Sequence, residues 1–326
     1  MKVLFVASGN SSQGISPIVS NQGESLQKSG LSIGFFAIKG KGLKSYLKSI
    51  SDLRKILSAN NYEIIHAHYG LSAVVALFAR KREKLVVSFM GDDLVGANRM
   101  DGSVKFTSKL VVAINILLSR IFYDFCIVKS EEMYNKLHTK HKALVPNGID
   151  LQKFYYINQR KALAATGIER KEKLALFVSD PSRPEKNLRL ASEAINLLED
   201  PAVHLLTVSG IENSQLINYY NAADVLLLAS FHEGSPNVIK EAMACNCPIV
   251  STDVGDVKWV LGNTEGCFIA SFNPVDVSQK IRLAIEFRKN HVQTKGRERI
   301  VELNLDSDTI AEKIIKVYKK VLSVNE

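Results

Sequence analysis

The chain has 326 residues, of which 46% are hydrophobic and 23% charged, so it is long enough for two ordinary cores and too apolar for intrinsic disorder. Its longest apolar-leaning stretch, residues 110–118, contains Asn115 and is far shorter than the roughly 20 residues that a membrane-spanning helix needs. We therefore expect two α/β domains, no transmembrane helix and a cytoplasmic location.

The formal charge of +9 is concentrated in the first half of the chain. Residues 1–147 hold 20 Lys and Arg against 10 Asp and Glu, whereas residues 148–326 hold 22 against 23. A surface with an excess of positive charge attracts anionic partners. Because the sequence has no aromatic-interleaved basic motif of the RNA- or DNA-binding kind, we expect no nucleic-acid partner and consider an anionic membrane surface instead.

The first half alternates short β-rich runs with helical patterns, which predicts a parallel sheet wrapped by helices. The predicted strands are residues 3–7, 32–38, 64–67, 85–89, 125–128 and 143–145. Two of the helices, 43–57 and 104–123, are basic and amphipathic. Either their apolar stripes pack on the sheet and their basic residues are solvated, or they attract a membrane surface.

The segment Pro146-Asn147-Gly148 interrupts this alternation, and a second series follows with strands at 174–179, 203–208, 225–228, 249–251 and 268–270. We predict two Rossmann-like domains, an N-terminal one at 1–147 and a C-terminal one at 148–306. The last helix, 309–322, is expected to cross back onto the first domain. The four cysteines are scattered through apolar surroundings and are expected to be core residues.

The loop after the first strand, residues 9–16, has glycines at a Walker-like spacing. It carries Ile15-Ser16 where a phosphate-binding loop requires Lys followed by Ser or Thr, and the chain has no GxGxxG at this point. These departures disfavour an NTPase and a standard dinucleotide-dependent dehydrogenase.

The second half contains a strand, a turn and a helix start, at 225–228, 229–237 and 238–244. Free N–H groups and the helix dipole make such an arrangement suitable for binding an anion. Glu233 lies just before the helix, and Glu241 lies eight positions later, about two turns inside it. In most proteins, a residue placed like Glu233 would be a charge at the helix N-terminus, and one placed like Glu241 would lie on a solvated face of the helix.

Residues 233–244, Glu-Gly-Ser-Pro-Asn-Val-Ile-Lys-Glu-Ala-Met-Ala, resemble the E-x7-E signature of the retaining glycosyltransferases of family 4. Further segments match that family in the same order: 66–68, 146–150 with Phe154, 183–187, 220–224, and 248–250 leading to Gly255. The resemblance implies the GT-B architecture, an α/β fold with two Rossmann-like domains facing across a cleft.

The resemblance also implies roles for particular residues. Arg183 and Lys186 match the basic pair that neutralises the nucleotide-sugar diphosphate, and fixed cations there stabilise the charge of the departing group. Glu233 would orient the donor sugar and Glu241 would bind the ribose. The remaining expected donor-binding residues are Gly14, Gly234, Ser235, Pro236, Asn237, Val238 and Gly255.

We expect neither a metal nor a cofactor, because the basic pair replaces the metal and the nucleotide-diphosphate sugar is a substrate. The one Asp-x-Asp sequence, Asp306-Ser307-Asp308, directly precedes the last helix and is better interpreted as its N-cap region. The sequence therefore indicates metal-independent transfer.

The chain departs from the family at Met90, which stands where a His usually follows a first-domain strand. A thioether cannot accept the acceptor proton. That acceptor-side role is either vacant or moved to Asp92, Asp93 or the candidate catalytic residue His68. For His68 the alternative is a histidine packed in the core.

We expect a retaining glycosyltransferase that transfers a sugar to a lipid-linked or saccharide acceptor by front-face displacement, in bacterial cell-surface polysaccharide synthesis. It would be cytoplasmic and peripheral on the inner face of the membrane. Two alternatives remain. One is a sugar-nucleotide epimerase with the same fold, and the other is a sugar-nucleotide-binding subunit that has lost catalysis, which Met90 favours.

Overall fold

A computed structural model describes residues 1–11, 14–40, 42–97, 103–168 and 173–323. It divides the chain into two compact units. The first comprises Met1–Ala97, Lys105–Gly148 and the residues from Ser307 onward, and the second is built on Ile149–Asp306. Within the described residues, no helix combines the length and the hydropathy needed to cross a bilayer.

The first unit is a parallel six-stranded sheet in the order β2-β1-β3-β4-β5-β6, with helices between the strands. Its strands are β1 Lys2–Ser8, β2 Ser32–Ile38, β3 Ile64–His68, β4 Lys84–Ser88, β5 Phe125–Val128 and β6 Lys142–Leu144. Its helices are α1 Pro17–Lys28, α2 Leu43–Ala59, α3 Gly70–Ala79, α4 Asp92–Val95, α5 Phe106–Ile121, α6 Glu131–Lys136 and, from the end of the chain, α14 Ser307–Ser323.

The core of the first unit forms where apolar side chains of the central strands meet the helices. On one face of the sheet, Leu4, Ile65 and Val87 lie in one buried cluster with residues of α2 and α3. The last helix, α14, belongs to this unit: the Ser25 hydroxyl donates to the carbonyl oxygen of Ser307 at 2.8 Å. Further along α14, the buried Tyr318 places its hydroxyl 2.5 Å from Nδ1 of His66 on β3.

The second unit repeats this plan with five parallel strands in the order β11-β10-β9-β7-β8. Its strands are β7 Lys173–Val178, β8 Val203–Val208, β9 Val225–Leu228, β10 Ile249–Thr252 and β11 Cys267–Ala270. Its helices are α7 Gln159–Thr166, α8 Leu188–Asn196, α9 Leu216–Ala222, α10 Asn237–Ala244, α11 Val257–Leu261, α12 Pro274–His291 and α13 Gly296–Glu302, with a short 3₁₀ turn at Pro184–Lys186.

All eleven predicted strands form, and their ends differ from the predicted ones by no more than one residue. The two predicted Rossmann-like sheets are therefore confirmed. Three of the cysteines, Cys126, Cys245 and Cys247, are buried and free, as core residues should be. Burial raises the pKa of the Cys126 thiol to about 12.

The two basic helices differ in how they use their apolar residues. In α2, Leu53 and Leu57 are buried and Tyr46, Ile50 and Ile56 pack against the same cluster, so most of the stripe faces the sheet. Lys44 and Lys48 are exposed, whereas Lys41 lies outside the described residues. In α5 a large part of the apolar surface remains exposed.

Candidate active site

The second sheet has one position where the direction of strand succession reverses, between β7 and β9. In open α/β sheets, ligands bind at such a reversal, beside the carboxyl ends of the strands. The loops that follow β7 and β9 are joined by a hydrogen bond from the Phe231 N–H to the carbonyl oxygen of Glu185, at 2.9 Å. Residues that follow β7 and β9 therefore meet at the site that this topology favours for ligand binding.

Lys186, after β7, and Glu233, after β9, form an ion pair at this position. The Lys186 Nζ donates to Glu233 Oε1 at 2.5 Å, and the Ser230 hydroxyl donates to the same oxygen at 2.7 Å. The two charged side chains are only 14% and 15% exposed. A charge-assisted pair with this little solvent around it holds both groups in a fixed orientation.

Arg183 lies at the start of the short turn that ends at Lys186, but it contacts a different carboxylate. Its guanidinium pairs with Glu185 Oε1 at 2.5 Å, and its side chain is 52% exposed. The structure thus brings both predicted cations onto one turn, each beside its own acidic partner. Arg183 is the more accessible of the two, with 52% of its side chain exposed against 14% for Lys186.

Glu241 is much more enclosed than a helix-face carboxylate. It is 4% exposed, accepts from the Tyr220 hydroxyl at 2.6 Å and accepts from the Asn213 Nδ2 at 3.1 Å. Burial raises the pKa of this carboxyl, while the two donors act in the opposite direction. Each carboxylate oxygen has one of these donors and can accept a further hydrogen bond.

The segment between the two acidic residues approaches the loop after β10 very closely. A Cβ at Gly255, whose φ is +60°, would lie 2.5 Å from the carbonyl oxygen of Gly234 and 2.8 Å from that of Glu233. Only glycine fits this position. Pro236 caps α10, which begins at Asn237 and continues with Val238, so first-turn N–H groups are available at the end of the loop.

Ser235 takes part in a buried network beneath this loop. The Lys240 Nζ donates to Asp256 Oδ2 at 2.8 Å and to the Ser235 hydroxyl oxygen at 2.5 Å. The Ser235 hydroxyl in turn donates to Asp256 Oδ2 at 2.6 Å. Lys240 and Asp256 are 1% and 5% exposed, so the pair fixes the loop before α10 from inside the domain.

In the first unit, the predicted acceptor-side residue Asp93 is a structural group. It is fully buried, and its carboxylate accepts from the backbone N–H groups of Met90, Gly91 and Gly70 at 2.9 to 3.2 Å. Burial raises its pKa to about 6 even though these hydrogen bonds lower it. Asp93 therefore shapes the loop that carries Met90 and is not placed to accept a proton from a substrate. Asp92 is half-buried in the first turn of α4.

The predicted catalytic role of His68 does not fit its surroundings either. The ring is 3% exposed, stacks on His66 at 4.3 Å and contacts Phe5 at 4.6 Å between ring centroids. Burial, with a smaller effect of the nearby Lys129 cation, lowers its pKa to about 3. These features are those of a neutral histidine packed in the core, which was the alternative interpretation.

The buried histidines predict an acid-sensitive fold. The pKa of His66 is also well below its usual range because of burial, so on going from pH 7 to pH 5 only the unfolded chain takes up protons at these two rings. Stability present above the unfolded pKa is then lost as the pH falls, by about 2 kcal/mol for His68 and in the same direction for His66. The raised pKa of Asp93 has the opposite effect, because the folded carboxyl takes up a proton more readily than the unfolded one. It adds about 1 kcal/mol of stability between pH 7 and pH 5.

Urea unfolding of the full chain at pH 7 and pH 5 tests this expectation. His68→Phe keeps a flat ring beside His66 and removes one of the two proton-binding differences. The variant should lose about 2 kcal/mol less stability than the wild type between the two pH values. An unchanged pH dependence would mean that His68 is protonated in the folded domain.

The remaining first-domain residue of the predicted donor set, Gly14, follows β1. It has a φ of +78°, and its carbonyl oxygen accepts from the Ser11 hydroxyl at 2.5 Å. Ser12 and Gln13, within the Walker-like spacing, lie outside the described residues.

The Asp306-Ser307-Asp308 sequence is at the start of α14, which begins at Ser307. Among the described residues, no group of three His, Cys, Asp or Glu side chains could hold a metal ion.

Three residues at the site, Lys240, Asp256 and Asn213, were not predicted from the sequence. Lys240 lies inside the recognised signature, and a lysine on a helix face is ordinarily solvated, so nothing in the sequence indicates its burial. Asp256, one residue after Gly255, forms the other half of that pair. Asn213 reaches Glu241 because the connection from β8 to α9 is short. Its position in that short loop was the only available signal.

Two family models match the chain. The one described as "Glycosyltransferase Family 4" matches residues 19–153, and the one described as "Glycosyl transferases group 1" matches residues 176–286. The first covers most of the first unit and the second covers the loops that carry Arg183, Lys186, Glu233 and Glu241.

Two relatives illustrate the sequence similarity. TuaC of Bacillus subtilis strain 168, named for teichuronic acid biosynthesis, is 29% identical over 231 residues, which are 64% of this chain and 57% of that protein. The N,N'-diacetylbacillosaminyl-diphospho-undecaprenol α-1,3-N-acetylgalactosaminyltransferase of Campylobacter jejuni is 25% identical over 309 residues, 85% of this chain and 82% of that protein. The match thus spans little more than half the length of the first relative.

Solved structures agree in fold. Sucrose-phosphate synthase from Thermosynechococcus elongatus superimposes with a TM-score of 0.80 at 18% identity and covers 99% of both chains. Anabaena HepE in complex with UDP-glucose gives a TM-score of 0.72 at 14% identity and covers 98% of this chain and 100% of that one. At such identities the likeness shows the GT-B fold.

Proposed function

Because the chain belongs to glycosyltransferase family 4, we propose that it transfers a sugar from a nucleotide-diphosphate sugar to a lipid-linked or saccharide acceptor, with retention of the anomeric configuration. The observation that carries this proposal is the Lys186–Glu233 pair at the point where strand succession reverses, next to the first turn of α10. A cation, a carboxylate and a helix N-terminus together suit a diphosphate joined to a sugar.

The mechanism follows from the charges at this position. When the bond between the anomeric carbon and the phosphate oxygen breaks, negative charge develops on the diphosphate. Lys186 is already held in place, Arg183 can turn toward the same charge, and their attraction lowers the barrier. Glu233 orients the donor sugar, and Glu241 accepts from the ribose hydroxyls.

The departing phosphate oxygen itself takes the acceptor proton in this proposal. The acceptor oxygen bonds to the anomeric carbon on the face that the phosphate leaves, so the configuration is retained. Three first-domain residues that could replace the usual His are unsuited to accepting this proton, because Met90 has no basic atom, Asp93 is held by three backbone N–H groups, and His68 is enclosed. Asp92, half-buried in the first turn of α4, is the remaining first-domain candidate, and in this proposal the proton moves directly between the two reacting oxygens.

The similarity to a diphospho-undecaprenol-dependent transferase and to a UDP-glucose complex supports a nucleotide sugar as donor and a lipid-linked acceptor. An epimerase would instead need an acid and a base placed at the sugar. A catalytically silent subunit would bind the nucleotide without forming product. Product analysis distinguishes the three, since they yield a transferred sugar, an epimerised nucleotide or no change.

Loss of the basic pair should weaken diphosphate binding specifically. For Arg183→Gln and Lys186→Gln we expect nucleoside diphosphate to bind about 10- to 100-fold more weakly in each variant, because each loses a charge-assisted hydrogen bond worth roughly 1.5–3 kcal/mol. Binding of the nucleoside alone should change little. Isothermal titration calorimetry measures both affinities.

Arg189→Gln is the matched control, because Arg189 is a nearby basic residue, 84% exposed, that pairs with Glu193 on its own helix α8. It should leave both affinities unchanged. Equal losses in all three variants would show a general charge effect and would contradict the assignment of Arg183 and Lys186 to the diphosphate.

A further inference from the structure

Helix α5 exposes a continuous apolar face in the first unit. Phe106 is 78% exposed, Leu110 61%, Leu117 54% and Ile121 60%, and Ile114 belongs to the same row. At 100° per residue these five positions fall within an arc of about 80° along four turns of the helix. Exposed apolar residues are common singly, but a row of this length marks an interaction surface.

The orientation of α5 is fixed by its opposite face. Asn115 and Ser119 are buried there, and the Asn115 Nδ2 donates to the carbonyl oxygen of Asp93 at 2.9 Å. Ile116 and Leu118 pack against the core of the unit. The helix therefore cannot rotate to hide the exposed row without breaking these contacts.

The charged residues of α5 itself are all positive. Lys109 and Arg120 are exposed along one edge of the row, Lys105 directly precedes the helix, and α5 contains no acidic residue. Elsewhere in the first unit, α2 carries the exposed Lys44 and Lys48. An apolar face bordered by basic residues is complementary to a layer of anionic lipid headgroups over acyl chains.

Near its end α5 also borders a cavity lined by Arg120, His141 and Lys320 together with Asp124. The Asp124 carboxylate is paired with Arg80 at 2.5 Å and with Lys84 at 3.5 Å. The cavity thus has more basic side chains than its one acid can neutralise, and it adds positive potential beside Ile121.

We propose that the apolar face of α5 inserts into the headgroup region of an anionic lipid bilayer, with Lys105, Lys109 and Arg120 contacting lipid phosphates. Insertion of about 5–10 Å is usual for such faces. A second copy of this chain is a poorer occupant, because two halves with 20 basic and 10 acidic residues each repel one another. The inference deepens the lipid-linked acceptor part of the proposed function.

Vesicle flotation without any nucleotide sugar tests the inference separately from catalysis. The protein should float with phosphatidylcholine vesicles that contain about 30% phosphatidylglycerol, on the order of tenfold more than with phosphatidylcholine alone, and roughly 0.5 M salt should weaken this binding. Leu110→Asn combined with Leu117→Asn should reduce binding about tenfold at low salt. Lys109→Gln combined with Arg120→Gln should reduce binding to anionic vesicles only.

Leu283→Asn combined with Val301→Asn is the matched control, since these residues of α12 and α13 are 45% and 55% exposed in the second unit. It should bind like the wild type. An unchanged melting temperature for each variant verifies folding. Equal flotation with neutral and anionic vesicles, or no effect of the α5 variants, would overturn the proposal, as would a wild-type dimer that Leu110→Asn with Leu117→Asn converts to a monomer.

Insertion itself can be observed by fluorescence. The chain has a single tryptophan, Trp259, which lies in the second unit. In a Trp259→Phe background, Leu117→Trp should shift its emission to shorter wavelength on anionic vesicles and be quenched by brominated lipids. An emission that stays at the wavelength of a solvent-exposed indole would show adsorption without insertion and would contradict the proposal.

Failure of these tests with transfer activity intact would leave a glycosyltransferase that does not insert α5 into lipid. Failure of transfer with binding intact would instead contradict the proposed function. The two outcomes are thus distinguishable.

Discussion

Glu233→Gln should lower the rate of sugar transfer by a factor of about 100 to 1000 and leave nucleoside diphosphate binding intact or slightly tighter. The substitution keeps the size of the side chain and its hydrogen bond with Ser230, but it removes the charge that orients the donor sugar. It also removes the charged partner of Lys186, which then becomes fully available to the diphosphate. An electrostatic contact realised at the reacting centre is worth roughly 2.7–4 kcal/mol in such sites.

Glu185→Gln is the control for this variant, because Glu185 is the other carboxylate that pairs with a cation of the site, Arg183. We expect its transfer rate to change by less than about tenfold. Single-turnover kinetics with saturating donor, together with calorimetric titration of nucleoside diphosphate, measures both effects. Equal rates for the two variants would show that Glu233 has no special role at the donor sugar.

Lys240→Met should destabilise the second domain by about 3–5 kcal/mol, because it leaves the Asp256 carboxylate buried without its cation. Asp256 Oδ1 lacks a hydrogen-bond partner among the described residues, and the Ser235 hydroxyl, which still donates to Oδ2, cannot neutralise the charge. For a domain of this size the melting temperature should fall on the order of 10 °C. Differential scanning calorimetry resolves the transition.

Adding Asp256→Leu to Lys240→Met should recover much of that stability, because no unpaired charge then remains buried. The double variant should still bind nucleotide more weakly than the wild type, since Ser235 loses its hydrogen bonds with Lys240 and Asp256, which help to hold the loop before α10. A stable double variant with wild-type affinity would show that the network contributes to folding alone.

The strands were predictable because each is a short run of apolar residues between turn-forming residues. The order of strands was not, since β7 and β9 are adjacent although β8 lies between them in the chain. The contact between Lys186 and Glu233 depends on that order. The sequence therefore indicated which residues could act on a diphosphate but could not show that these two form an ion pair.

Two of the predicted site residues in the first unit, His68 and Asp93, are buried. His68 is the last residue of β3, and Asp93 lies shortly after the end of β4. Catalytic groups are common at such strand ends. His68 is enclosed by Phe5 and His66. The Asp93 carboxylate accepts hydrogen bonds from backbone N–H groups of two separate loops. Such long-range enclosure has no local signature, because it depends on strands and helices that are distant in the chain.

The exposed row on α5 is the opposite case, because here apolar side chains are exposed where the previous paragraph describes polar side chains that are buried. The sequence left two interpretations of this helix open, in which its apolar residues either pack on the sheet with the basic residues solvated or attract a membrane surface. The helix uses Asn115, Ile116, Leu118 and Ser119 for its inner face, and this leaves Phe106, Leu110 and Leu117 outside. A helix that is apolar over much of its circumference does not reveal from sequence alone which side is buried.

The anomeric configuration of the product tests the proposed retaining sugar transfer. The purified chain is incubated with a panel of UDP- and GDP-sugars and with undecaprenyl-diphosphate-linked sugar in anionic vesicles, with and without a chelator, and the product is examined by proton NMR. We predict one sugar transferred per nucleoside diphosphate released, with the configuration of the donor and the same rate in chelator. An inverted product, an epimerised nucleotide without transfer, or activity that chelator abolishes and magnesium or manganese restores would contradict it.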